Sequence, residues 1–241
     1  MSGAIVFDYS FQFADDPGEP LRFRVELDPI TLEHARHDLS ALPAWTERGE
    51  DLCGHCPGTG GESRCPLAVS IAEVAEVFAG RLSYSQVMVT VTTLHRTYTV
   101  DTTLQQALGS LLGLYMATSG CPVMAPFKAM ARFHMPVASR EETVFRAVGA
   151  YLIGQYVRAR QGGEADLSLE GLQAAYAKLH AVNKALAERL SGEDGPGDAN
   201  LNAIVVLDLM THELPKSIQH GLDEVLHMYG HLFEPPEGSS P

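Results

Sequence analysis

The chain reads as an α+β protein, with a small N-terminal β-rich part carrying a cysteine loop and then a C-terminal helical bundle. Three observations predict this. Apolar residues alternate with polar ones near the N-terminus, they switch to a helical period from Asp101 onward, and Cys53, Cys56 and Cys65 crowd into one Gly/Pro-rich stretch between the two patterns.

In the first stretch Ile5, Phe7 and Tyr9 alternate with Val6, Asp8 and Ser10, and Phe23, Val25 and Leu27 alternate with Arg22, Arg24 and Glu26. The intervening Asp15-Asp16-Pro17-Gly18-Glu19-Pro20 is turn chemistry, so the two runs form a β-hairpin. A short helix is expected over Ile71 to Phe78, followed by β-branched strands at Val87 to Thr93 and Thr97 to Val100.

Beyond Asp101, Leu104, Leu108, Leu111, Leu112, Tyr115 and Met116 form one helical stripe behind a Thr103-x-x-Gln106 capping box, and Gly120 stops that helix. Cys121-Pro122 opens the next, because proline suits the first helical position. Ser139-x-x-Glu142 caps a third helix that presents Phe145, Val148, Tyr151, Leu152 and Tyr156 and fades at Gln161-Gly162-Gly163. A fourth runs from Leu169 to Leu190. After an exposed acidic linker at Ser191 to Gly197, a fifth is expected around Leu201 to Glu213 and a sixth from Pro215 to Tyr229. The resulting division is 1–100 with the metal loop at 53–65, the bundle at 101–230 and a disordered tail at 231–241, folding as one cooperative unit.

Composition narrows the function classes. The chain has 241 residues and 45% hydrophobic content, which suffices for a real core. A formal net charge of −13 argues against a nucleic-acid partner, since such proteins cluster Lys and Arg to displace counterions from phosphate. The N-terminal residues do not read as a secretory signal, and no apolar stretch approaches the roughly 20 residues that span a bilayer. The expectation is a cytoplasmic protein without a membrane span, in which four cysteines act as thiols, metal ligands or redox groups before disulfides.

The strongest chemical signal is those cysteines. Cys53-x-x-Cys56 supplies two ligands from one turn, Cys65 lies within loop reach, and Cys121 arrives from another element to complete four soft ligands. Zinc joining the two halves in a structural or regulatory role is the first reading, and a [4Fe-4S] cluster with a redox or sensor role is the alternative that the same ligand count permits. Cys53-Gly54-His55-Cys56 spells a disulfide-isomerase tetrapeptide but lacks the strand before it and the helix after it. His55 is a polar loop residue or a spare ligand.

A second cluster follows. Lys128, Arg132 and Arg146 are expected to converge on a small anionic ligand, with His134 as a proton carrier near neutral pH. An enzyme would then use a metal or thiolate at Cys121, favoured by a helix N-terminus, with His134 as base. The blander reading pairs Arg132 and Arg146 with Glu141 and Glu142. His220, Glu224, His227 and His231 share a helical stripe that can bind a divalent ion, although histidines near a helix end also complement its dipole. Asp208 and His212 share a face, and His180 reads as a packing histidine. Dimerisation through apolar helices is a further possibility.

Taken together, Cys53-x-x-Cys56-Pro57, Cys65-Pro66-Leu67-Ala68, Thr118-Ser119-Gly120-Cys121-Pro122, Arg132-Phe133-His134-x-Pro136 and Glu141-Glu142-Thr143 resemble a bacterial family known only as a domain of unknown function, over about residues 50 to 230. The resemblance implies a cytosolic bacterial protein and brings no activity and no catalytic residue with it.

Overall fold

The computed structural model describes residues 3–16, 18–35, 42–48, 53, 54, 56, 63–192 and 197–232. The N-terminal hairpin forms as expected, with β1 (Ile5–Phe13) antiparallel to β2 (Leu21–Leu27) and Tyr9 opposite Phe23. Strands β3 (Gln86–Thr92) and β4 (Thr97–Thr103) complete a four-stranded antiparallel sheet in the order β2-β1-β3-β4. Alternation sets its two faces. Phe7, Tyr9, Phe11 and Phe13 of β1, Phe23, Val25 and Leu27 of β2, and Val87, Val89 and Val91 of β3 are all buried, while threonine pairs such as Thr90–Thr99 lie on the open side.

Helix α1 (Pro66–Val77) starts five residues earlier than the expected Ile71, because Pro66 occupies its first position and Cys65 its N-cap. Helix α2 (Leu104–Ala117) is the centre of the molecule, packed against β3, β4, α1 and the later helix α6 (Asp198–Gln219). Its glycines permit that last contact. A Cβ on Gly109 would stand 3.2 Å from the Ala203 carbonyl, and one on Gly113 would stand 3.1 Å from Leu207.

Cys121-Pro122 opens a 3-10 segment (Pro122–Phe127) rather than a full α-helix, and a single α-turn, α3 (Lys128–Arg132), follows it. Pro126 inside this segment has no N–H to extend an α-helical ladder. Helix α4 (Arg140–Arg160) carries the expected capping box in full, with Ser139 accepting from the Glu142 amide and Glu142 accepting from the Ser139 amide at 2.7 Å. Its stripe is covered only in part: Val148 is buried and Tyr151 and Leu152 are half-buried, but Phe145 and Tyr156 are exposed, as are Ile153 and Val157 outside the stripe.

Helix α5 (Glu170–Leu190) follows Leu169, whose φ is 63°. It packs on α6, and α6 replaces the fifth helix and the first part of the sixth, with Pro215 inside it rather than at a start. Leu222, at φ 61°, separates α6 from the short α7 (Asp223–Leu226), and a 3-10 turn closes the described chain at Gly230–Leu232. The expected tail therefore lies outside the described residues from 233 on, as do residues 193–196 of the acidic linker. The arrangement is α+β, an antiparallel sheet followed by helices, and buried apolar residues of both parts form one cluster. Among the described residues no single helix is long and apolar enough to cross a membrane.

Candidate functional site

Three pieces of chain carry the four cysteines to the wall of one small cavity. Cys53 and Cys56 form a turn closed by the Cys56 amide donating to the Cys53 carbonyl at 2.9 Å. Cys65 is anchored by its amide to the Thr46 carbonyl at 3.0 Å, beside an antiparallel bridge between Glu47 and Arg64. Cys121 precedes the 3-10 segment, its amide donating to Ser119 Oγ at 3.2 Å. All four wall one cavity of about 30 Å³, together with Arg48 and Arg189. Arg189 of α5 fastens the region by donating to the Glu47 carbonyl at 2.7 Å and the Trp45 carbonyl at 3.3 Å. His55 and residues 57–62 lie outside the described residues.

Burial pushes the Cys121 thiol up, outweighing the Val123 and Met124 amides that favour its thiolate, and Cys65 and Cys53 push the same way. The expected activation by the helix start is therefore present but loses to desolvation. All four cysteines line that cavity, yet no three of their sulfurs stand within 4.8 Å of one another; the described side chains whose donor atoms do are His180, Asp208 and His212. There Asp208 already accepts from His180 Nδ1 at 3.0 Å and from Asn183 Nδ2 at 3.1 Å, and the His212 ring packs edge-on to His180. The Asp208/His212 pair was visible as an i,i+4 spacing, whereas His180 joins it only through the packing of α5 on α6.

The C-terminal histidine stripe does not survive folding. The helix ends at Gln219, so His220 and Glu224 belong to different elements, and Glu224 is taken by Arg140 and Ser217. His220 donates from Nδ1 to the Lys216 carbonyl.

The basic cluster is divided. Lys128 bonds Glu33 at 2.8 Å and the Thr31 carbonyl at 3.1 Å, and Arg132 lies over the exposed Phe133 ring. Arg146 and His134 instead line a cavity of about 590 Å³ enclosed by α2, the 122–139 segment, α4, α5 and α6. Here the sheet reaches the helices: Tyr9 of β1 hydrogen-bonds His134 Nε2 and, at 3.2 Å, Ser110 Oγ of α2. Burial, and then the Arg146 charge, push the His134 imidazolium down to about 3, so the ring is neutral at neutral pH and accepts from the Tyr9 hydroxyl. Burial pushes the Tyr9 and Tyr176 phenols up, with Arg146 opposing both, so each keeps its proton. A proton carrier titrating near neutrality, the role expected of His134, does not fit this environment.

Arg146 itself is largely enclosed. Its Nη2 donates to the Met130 carbonyl at 2.9 Å, its Nε is buried with no acceptor, and no carboxylate among the described residues pairs with it. The expected pairing with Glu141 or Glu142 is therefore not made; Glu142 is held by the Ser139 cap, and His227 lies 3.9 Å from Glu141.

A family described as a domain of unknown function, DUF6901, matches residues 7–230. The chain belongs to that family. The match extends through the hairpin, beyond the residues 50 to 230 over which the motifs suggest the resemblance. Neither a curated protein nor a solved structure matches this member of DUF6901.

Proposed function

We propose that this DUF6901 protein is a cytoplasmic metal-binding protein in which Cys53, Cys56, Cys65 and Cys121 hold one zinc ion that joins the cysteine loop to the helical half. The observation that supports the reading is that all four cysteines, from three separate stretches of chain, line one cavity of about 30 Å³. That volume is of the order of one or two waters, which suits a single ion better than a four-iron cluster. Electrostatics agree. Zinc with four thiolates carries a net double negative charge, and Arg48 and Arg189 stand in the wall to offset it. Four protein ligands leave no open coordination position, so the role is structural or regulatory rather than catalytic. An enzyme built on a Cys121 thiolate and His134 base is less well supported, since the two residues wall different cavities.

Metal analysis and an absorption spectrum on anaerobically purified protein test the proposal. The expected result is a colourless protein with one zinc per chain, and loss of that zinc in Cys65→Ser and Cys121→Ser. A brown protein with broad visible absorption would replace zinc by an iron-sulfur cluster. Metal-free protein with four thiols titrating in the native state would remove both readings.

A further inference from the structure

We infer that the 590 Å³ cavity is a binding site for an amphipathic carboxylate, whose headgroup pairs with Arg146 and whose apolar tail lies among the methionines of the helical half. The inference is separate from the metal site, which lies on a different cavity.

Charge identifies the headgroup. A guanidinium taken out of water is stabilised by an anion and by acceptors for its donors, yet Arg146 meets only the Met130 carbonyl among the described residues. Its surroundings add no second positive charge, because His134 is neutral and Arg140, which also borders the cavity, is committed to Glu213 and Glu224. Arg146 feels the Glu142 charge but makes no ion pair among the described residues, so in this mainly apolar chamber it favours a monoanion, and the planar guanidinium fork matches a carboxylate in a bidentate way. A phosphate dianion would need a second cation that Lys128, paired with Glu33, does not bring.

The rest of the chamber identifies the tail. Met116, Met124, Met130, Met135 and Met210, five of the eight methionines in the chain, line it. Unbranched thioether chains adapt to a flexible aliphatic ligand where branched residues would demand one shape. The Arg146 charge acts on His134 and Tyr176, which line the chamber with it, and on Tyr9, so these groups lie near one another beside a wall that is mainly apolar. The chamber's volume is that of a pocket for a ligand of a few hundred daltons.

Calorimetric titration of the full-length protein with decanoate, decanol and decyl phosphate, each below its micelle-forming concentration, tests this. Decanoate is expected to bind at one site, at least tenfold more tightly than decanol or decyl phosphate. Arg146→Met should weaken decanoate at least tenfold and leave decanol unchanged, while Met130→Trp, which fills the chamber, should weaken both. Circular dichroism and zinc content, unchanged in the variants, separate loss of this site from loss of the fold or of the metal centre. Equal affinity for decanoate and decanol, tighter binding of decyl phosphate, or an unchanged affinity in Arg146→Met would overturn the inference. If Arg146→Met does not fold, the three-ligand comparison and Met130→Trp decide alone.

Discussion

Proline decides how two of the four cysteines are presented. At Cys65 and Cys121 the backbone is extended, at φ −77°, ψ 119° and φ −65°, ψ 125°, because the following proline ring disfavours the helical region for its predecessor. Each of these two cysteines becomes the cap of the segment behind it, which was legible in Cys65-Pro66 and Cys121-Pro122. The charge state of Cys121 was not legible, since burial depends on what packs around it. The same competition rules His134. Its folded pKa near 3 lies below the ordinary 6.5, so between these values the unfolded chain binds a proton that the folded chain refuses. Stability from this group is therefore complete above pH 6.5 and falls as pH drops toward 3, by about 1.4 kcal/mol per unit. Denaturant titrations from pH 7 to 4 should show wild type losing more stability than His134→Gln, with no titration of the His134 ring resonances between pH 5 and 8. A ring midpoint near 6.5 would mean that water reaches the imidazole.

At the scale of elements, two sequences of the same form have different fates. Ser139-x-x-Glu142 makes both reciprocal capping bonds, whereas Thr103-x-x-Gln106 makes neither. Thr103 is the last residue of β4, paired with Gln86, and its buried hydroxyl has no partner among the described residues. Gln106 is engaged by Thr102 instead. Ser139→Ala should lower unfolding free energy by about 1 kcal/mol. Thr103→Val should be neutral or stabilising, because it removes a buried hydroxyl that has no partner. Comparable losses in denaturant melts of both variants would contradict this distinction. Helix existence was legible from periodicity in α2, α4 and α5. What covers each stripe was not, and so Phe145 and Tyr156 stand exposed on the stripe of a helix whose pattern suggests a buried face. Pro215 misleads for a related reason: a starting signal read locally cannot tell that α6 has already begun seventeen residues earlier.

At the scale of the molecule, the change of period near Asp101 marks a change of secondary structure within one core. Helix α2 leaves β4 directly and carries its apolar residues between the sheet and α6, and the same buried cluster includes Phe11 of the sheet and Ile204 of α6. A second meeting of early and late chain lies at the small cysteine-lined cavity, which α1, the 3-10 segment after Cys121 and α5 all border. Trp45, the single tryptophan, is placed to report on that meeting. It is buried beside α1, and its carbonyl accepts from Arg189 of α5. Thermal unfolding followed by Trp45 emission and by far-UV circular dichroism should therefore give one coincident midpoint, as expected for a cooperative transition. If the proposed zinc centre is present, chelation should lower both signals' midpoints together, because an ion bound only by the folded chain stabilises everything that unfolds with it. If Trp45 emission changed well before the helical signal, the loop would be a local unit, and its metal would hold the loop without holding the two halves.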